Sequence, residues 1–274
     1  MLLTRRAALK GVAVTSIGAF TGAVTYGMGN ERHRVGLTRT MLPVSGLPPA
    51  LDGLRIAFIT DVHHSLTVPA DDVTRAVTLA NGADPDLVVL GGDYVTWGDR
   101  QYVAPVAELL RPLHARYGVF AILGNHDDDR DMPAALMRNG FTVLKDQRTR
   151  VELRGEALEL AGIRFWTRKA GDIARVLRQS RDTVLLLAHD PRRITEAAAL
   201  DVPAVLSGHT HGGQVVLPGF GALARRDFPV LAGVARRQNT SLFVSRGIGT
   251  VYVPIRINCP PEVALVTLHR ISNL

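Results

Sequence analysis

The sequence predicts an α/β fold built on a mostly buried, largely parallel sheet, and three observations predict it. From Leu54 onward, short β-branched or aliphatic runs alternate with stretches of helical pattern. The runs are apolar throughout, as strands covered on both faces are. Each ends in Gly, Asp, Asn or His, residues that turn a chain out of a strand. Of the 274 residues, 46% are hydrophobic and 21% charged, a composition that can build a sizeable core. With an N-terminal segment set aside, about 230 to 240 residues remain, enough for one such domain.

The first element is "MLLTRRAALKGVAVTSIGAFTGAVTYGMG", a charged start followed by an uncharged Gly-, Ala- and Thr-rich stretch from Gly11 to Gly29. Arg5–Arg6, with Thr4 before and Leu9–Lys10 after, resembles a twin-arginine export signal. Cleavage after Ala23 would remove it. Retained, it would act as a weak membrane anchor, close to the ~20 residues a span requires. The expected division is residues 1–30 as signal or anchor and 31–274 as the catalytic domain. The pairs Arg192–Arg193, Arg225–Arg226 and Arg236–Arg237 lack that context and read as solvated surface. Val35 to Leu42 alternates like an edge strand, after which Pro43, Pro48 and Pro49 should interrupt regular structure.

Five strands then follow, each with its own ending. "RIAFIT" runs into Asp61-Val-His63, "DLVVLGG" into Asp93, "VFAILG" into Asn125-His126, "TVLLLA" into His189 and "PAVLSG" into His209-Thr-His211. The stretches 71–81, 101–114, 132–139 and 191–200 read as intervening helices. Parallel strands discharge their carboxyl ends onto one edge, so these distant side chains should become neighbours there.

Charge excludes one class of function. Arg5, Arg6, Lys10, Arg32, Arg34 and Arg39 against Glu31 supply five of the seven net positive charges, so the body is nearly neutral. It carries no basic run interleaved with aromatics, and nucleic-acid binding gets no support. Cys259 is the single cysteine, so no intramolecular disulfide forms, and it reads as a buried inert thiol.

Taken singly, an Asp after a strand is a cap and a lone His a satisfied polar group. Five such strand ends together point to metal. Asp61, His63, Asp93, Asn125, His189, His209 and His211 are too many ligands for one tetrahedral zinc, and two ions sharing one carboxylate fit the set. Mixed nitrogen and oxygen donors suit Mn, Fe, Co or Zn better than Ca or Mg. Asp-x-His and His-x-His would each put both side chains on one face of an extended segment, with adjacent glycines permitting close backbone approach.

"DVH", "GGD", "GNHD", an isolated later His and "GHTH" resemble the five signature blocks of the calcineurin-like metallophosphoesterase superfamily, in order from residue 55 onward. "LSGHTHGGQVVLPGFG" and "LFVSRGIGTVYVPIRINCPPEVALVTL", with the twin-arginine start, look like its exported YkuE/YaeI-type phosphodiesterases. The resemblance implies a four-layer αββα sandwich and two divalent transition metal ions. Asp61, His63 and His211 would hold one ion, Asn125, His189 and His209 the other, and Asp93 would bridge them. His126 would be the catalytic histidine that stabilises phosphate charge or protonates the leaving oxygen. Two-metal hydrolysis of a phosphodiester or phosphomonoester by a metal-bridging hydroxide would follow.

Arg246 and Arg256 are candidates for anchoring substrate charge. Asp127 or Asp128 would orient His126, at least one of them being an exposed acidic turn instead. Thr96 stands where purple iron-tyrosinate relatives need Tyr, which argues against Fe(III)-tyrosinate chemistry. His64 reads as a bystander or as a support behind the ligands, not as an eighth ligand. The implied partners are a phosphoester substrate, the twin-arginine export machinery and a membrane surface, with an extracytoplasmic location. A lipid-linked pyrophosphate of the UDP-2,3-diacylglucosamine kind is the alternative substrate, and a non-catalytic metal-binding envelope protein the alternative role.

Overall fold

A computed structural model describes residues 5–223 and 227–271. In chain order the elements are α1 (Arg5–Gly29), β1 (Gly36–Ser45), β2 (Arg55–Ile59), α2 (Ala70–Gly82), β3 (Leu87–Leu90), α3 (Val103–Leu110), β4 (Val119–Ala121), α4 (Asp131–Arg138), β5 (Thr142–Val143), β6 (Gln147–Leu153) and β7 (Glu156–Ile163). They continue through α5 (Ala170–Val176), β8 (Thr183–Ala188), α6 (Ile194–Ala199), β9 (Ala204–Ser207), β10 (Val216–Leu217), β11 (Gly221–Ala222), β12 (Gly233–Arg237), β13 (Thr240–Val244) and β14 (Glu262–Ile271).

Apart from the small antiparallel pair β10–β11, the strands divide into two six-stranded sheets rather than the single sheet that alternation alone suggested. The first has the order β1-β14-β2-β3-β4-β5, with only the β14–β2 pair antiparallel. The second has the order β12-β13-β9-β8-β7-β6, antiparallel only at its two outer pairs.

Side-chain alternation along each strand feeds two cores. In β2, Ile56 and Phe58 enter the layer between the sheets, while Ala57 and Ile59 face the helices. In β3, Leu87 and Val89 point inward and Val88 and Leu90 outward. In β8 of the second sheet, Leu185 and Leu187 fill the central layer and Val184 and Leu186 the outer one. Helices α2, α3 and α4 cover the first sheet, and α5 and α6 the second. The result is a four-layer αββα sandwich, and its need for apolar groups on both strand faces explains the unbroken apolar runs.

Several local expectations change. Pro43 does not break regular structure but lies within β1, an edge strand paired only with β14, where its missing N–H leaves no ladder bond unmade. Arg193 is not a solvated surface arginine: it is 9% exposed, bonded to Glu196 Oε1 at 2.8 Å and to the Arg168 carbonyl at 2.9 Å. Arg225–Arg226 and Thr4 lie outside the described residues. The Arg5–Arg6 pair opens α1, whose residues Val14 and Ile17 are exposed. Among the described residues no helix is long and apolar enough to cross a membrane.

Phe58 is the best probe of the central layer. It is 1% exposed and meets Phe243 of the opposite sheet edge-to-face, ring centroids 6.3 Å apart. Phe58→Ala should cost about 3–5 kcal/mol of unfolding free energy, measured by chemical denaturation.

Candidate metal centre

The carboxyl ends of β2, β3 and β4 in one sheet and of β8 and β9 in the other meet at one end of the sandwich. Asp61, His63 and His211 form one group whose ligand atoms lie within 4.8 Å of one another, and Asp93, His189 and His209 form a second. His63 and Asp93 also belong to a third such group with His126. Asp93 lies between the two sides, its Oδ2 3.5 Å from His63 Nε2 and 3.1 Å from His189 Nε2. The seven side chains singled out as ligands are thus brought together, Asn125 lining the same cavity as Asp93 and His209.

The local backbone differs from expectation. Asp61, His63, Asp93, His209 and His211 all have left-handed φ, between 47° and 72°. Asp-x-His and His-x-His are therefore tight turns and not extended segments, because each strand stops before its ligands: β2 at Ile59, β9 at Ser207. Such conformations cost about 1–3 kcal/mol each in a non-glycine residue and persist only where the surroundings over-determine them.

The surroundings here do so through hydrogen bonds. Both Asp61 oxygens accept the His209 N–H at 3.0 Å, and Oδ2 also accepts Thr60 Oγ1–H at 2.8 Å. Asp93 Oδ1 accepts the His126 N–H at 2.8 Å. Close packing adds to this. A Cβ on Gly208 would stand 2.2 Å from Asp61 Oδ2, and one on Gly124 2.0 Å from Asp93 Oδ1, so only glycine lets these loops approach the carboxylates.

The imidazoles are aimed by their second nitrogens. His189 Nδ1–H donates to the Gly91 carbonyl at 2.7 Å, which turns Nε2 toward the cluster. His63 Nδ1 pairs with Thr96 Oγ1 at 3.2 Å, so the position that carries Tyr in purple relatives here orients a histidine. His126 Nδ1 accepts the Trp97 N–H at 3.0 Å, which puts the proton of its neutral ring on Nε2.

Burial sets the electrostatics. Asp61 and Asp93 are at most 1% exposed. Burial raises the Asp61 carboxyl to about 6, with Asp93 adding to the rise and His189 opposing it. Burial would also raise Asp93, but the neighbouring His189 and His63 hold it well below the usual carboxylate range. Burial acts to lower His189, yet Asp93 and Asp61 outweigh it and push that imidazole up to about 10. Burial drives His63 down to about 4 and His209 to about 3.

Metal ions fit this chemistry. Two buried carboxylates draw their positive charge from one imidazolium, a place a divalent ion takes readily. His63 Nε2 and Asn125 Oδ1 are buried without hydrogen-bond partners, as ligand atoms are when their partner is an ion.

Other expectations meet a different outcome. Arg256 is fully buried, and its guanidinium bonds the carbonyls of Arg246, Gly247, Gly249 and Cys259, so it does not anchor substrate. Arg246 is tied to Glu262 through its side chain at 2.6 Å and its N–H at 2.8 Å, and neither arginine lines the cavity at the cluster. Asp127 does not orient His126: its carboxylate takes the N–H groups of Asp93, Tyr94 and Gly124, joining the β3 and β4 loops. Asp128 caps the start of α4 through Arg130 and Asp131 N–H. His64 bonds the Val68 carbonyl, a bystander as expected. Cys259 is 2% exposed and its thiol donates to the His211 carbonyl.

A cavity of about 330 Å³ opens on the cluster. Its floor holds Asp93, Asn125, His126, His209 and His211, and its wall Val215, Leu223, Phe228, Val251, Tyr252 and Val253. The sequence did not mark this wall, whose residues carry no chemical signature. The glycines of "SRGIGT" were the legible signal of the loop behind it. A Cβ on Gly247 would stand 2.6 Å from Asp61 Cβ, and one on Gly249 2.9 Å from His63 Cβ.

Comparison with known proteins bears on this geometry directly. Residues 54–213 match the family model described as calcineurin-like phosphoesterase. The chain is 30% identical over 279 residues to the uncharacterized metallophosphoesterase YkuE of Bacillus subtilis, covering 97% of this chain and 98% of that protein. It is 31% identical to phosphodiesterase YaeI of Escherichia coli over 78% of this chain and 82% of the other. An uncharacterized metallophosphoesterase of Aquifex aeolicus is 30% identical over 94% and 98% of the two chains. The family uses divalent metal ions, and the chain belongs to it: this is a calcineurin-like metallophosphoesterase, a hydrolase of phosphoric esters.

Proposed function

We propose that the chain hydrolyses phosphodiesters at a dinuclear metal centre. The observation that carries this is the pair of ligand groups meeting at Asp93, with an open cavity above them. Asp61, His63 and His211 would hold one ion, Asn125, His189 and His209 the other, and Asp93 would serve both. Bound there, two ions such as Mn, Fe, Zn or Co supply an activated water and polarise the phosphoryl oxygens.

The chain's own residues do the rest. Thr96 and the Gly91 carbonyl fix the faces of His63 and His189. The Trp97 N–H holds His126 with Nε2–H free to donate to a phosphoryl or leaving-group oxygen. Asp127 keeps the Asp93 and Asn125 loops in register by binding amides from both.

The apolar wall favours one refinement: an ester whose leaving portion is apolar, including the lipid-linked pyrophosphate class. The described lining of the cavity contains no Lys or Arg to receive extra phosphates, which argues against a highly charged nucleotide. Arg5–Arg6 and the uncharged stretch after it support the remaining part of the reading, twin-arginine export to an extracytoplasmic site of action at a membrane surface.

Chelated protein should bind about two transition-metal ions per chain and recover hydrolysis of bis-p-nitrophenyl phosphate when Mn is returned. Asp93→Ala should abolish turnover and release metal, and full activity in that variant would sink the bridge. His126→Ala should keep its metal and lose about 10²- to 10⁴-fold in turnover. Product analysis with UDP-2,3-diacylglucosamine tests the lipid refinement, pyrophosphate cleavage supporting it and an untouched substrate removing that compound. Replacing Arg5–Arg6 by Lys–Lys should retain the protein in the cytoplasm on fractionation, whereas undiminished export refutes the twin-arginine reading.

A further inference from the structure

Composition places the boundary between signal and domain near residue 30, but the chain does not part there. At the end of α1, Gly27 is pressed against the 255–257 segment, where a Cβ would stand 2.6 Å from the Arg256 carbonyl oxygen and 2.9 Å from Cγ1 of both Ile255 and Ile257. The Gly27 carbonyl accepts the Arg256 N–H at 3.2 Å. Two residues past the helix, Glu31 is 6% exposed, and its Oε1 accepts the Cys259 N–H at 2.7 Å.

The segment held in this way supports one ligand group in particular. Cys259 Sγ–H donates to the His211 carbonyl at 3.3 Å, and a Cβ on Gly212 would lie 2.6 Å from that sulfur. Arg256 gathers the carbonyls of Arg246, Gly247 and Gly249. The loop so gathered continues onto the first strand end, where Ile248 N–H bonds the Thr60 carbonyl at 3.1 Å and Gly249 N–H the Asp61 carbonyl at 2.7 Å. Gly249 also presses on His63 Cβ. Asp61, His63 and His211 thus all rest on the 246–259 loop. The side chains of the other group are aimed from elsewhere, His189 by the Gly91 carbonyl and His209 between the rings of Phe165 and Phe228, the His209 N–H on Asp61 being a backbone link between the two groups.

We infer that residues Gly27 to Glu31 form a strap that positions one metal site of the pair, with Glu31 as its positioning residue. The inference rests on the two-metal reading proposed above. The chain from Gly27 onward is then part of the mature enzyme, and processing of the export signal must spare it.

The test is equilibrium dialysis of the full-length chain with Co²⁺, together with the visible absorption of the bound ion. Wild type should bind two Co²⁺ with similar affinity, in line with the two-metal centre. Glu31→Ala should keep one site at wild-type affinity and weaken the other by about tenfold or more, with half of the absorption lost, an effect in the range of other outer-shell substitutions. Glu31→Gln should retain both, since its amide oxygen can still accept the Cys259 N–H. If Glu31→Ala does not yield folded protein, Glu31→Asp carries the same expectation, because the shorter side chain falls short of that amide. Two unchanged sites in Glu31→Ala overturn the strap, as does equal weakening of both sites that Glu31→Gln fails to rescue. A wild-type chain that binds no Co²⁺ instead fails the two-metal reading and takes the strap with it.

Discussion

The structure depends on keeping two carboxylates, Asp61 and Asp93, out of water at the point where two sheets end. Among the described residues neither has a lysine or arginine in hydrogen-bond contact, and burying bare carboxylates is expensive. Compensation comes from backbone amides and from the His189 imidazole beside them, whose place as the source of positive charge a divalent ion takes when bound. Most features of the surrounding loops meet that demand. Glycines allow the loops within reach, left-handed turns aim N–H groups at the oxygens, and Asp127 joins the loops that carry Asp93 and Asn125.

Strained loops of this kind need a rigid support, and the sandwich provides one. Three apolar layers lie behind the cluster, the central one made from both sheets, so the strand ends of the two sheets cannot slide past each other without opening a packed core. The His209 N–H bonded to Asp61 and His189 Nδ1–H bonded to the Gly91 carbonyl then tie the second sheet's loops to the first's. Five non-glycine residues at positive φ within one site are tolerable because their conformations are fixed by this framework rather than by their own preferences.

This division explains what the sequence made legible. The strands β2, β3, β4, β8 and β9 could be read because burial on both faces demands unbroken apolar runs, and their endings because metal chemistry restricts the residue types. The loop conformations could not be read, since Asp-x-His looks the same whether its backbone is extended or left-handed. Arg246 and Arg256 were misplaced for a related reason: a guanidinium fits a phosphate and a set of carbonyls equally well, and only the fold shows which it meets. Edge elements such as β6 and β12, half exposed and mixed in composition, carried too little pattern to be recognised.

The cavity wall raises the question of where specificity resides. The cluster's chemistry is set by residues that any phosphoester would meet in the same way, so it cannot by itself distinguish one ester from another. Discrimination must come from groups that touch the rest of the substrate. In this chain those are apolar: Val215 follows the His-x-His turn, and Val251 to Val253 follow the glycine loop that packs on Asp61 and His63. Gln214 joins the two segments, its side chain accepting the Val251 N–H at 2.7 Å and donating to the Val253 carbonyl at 3.3 Å. The wall is therefore tied to the same loops that place the ligands, and a substitution that shifts it also disturbs the cluster. Differences in substrate preference among chains of this fold would then come most freely from exposed side chains at the mouth, such as Tyr252 and Leu223, which can change without moving the loops beneath them.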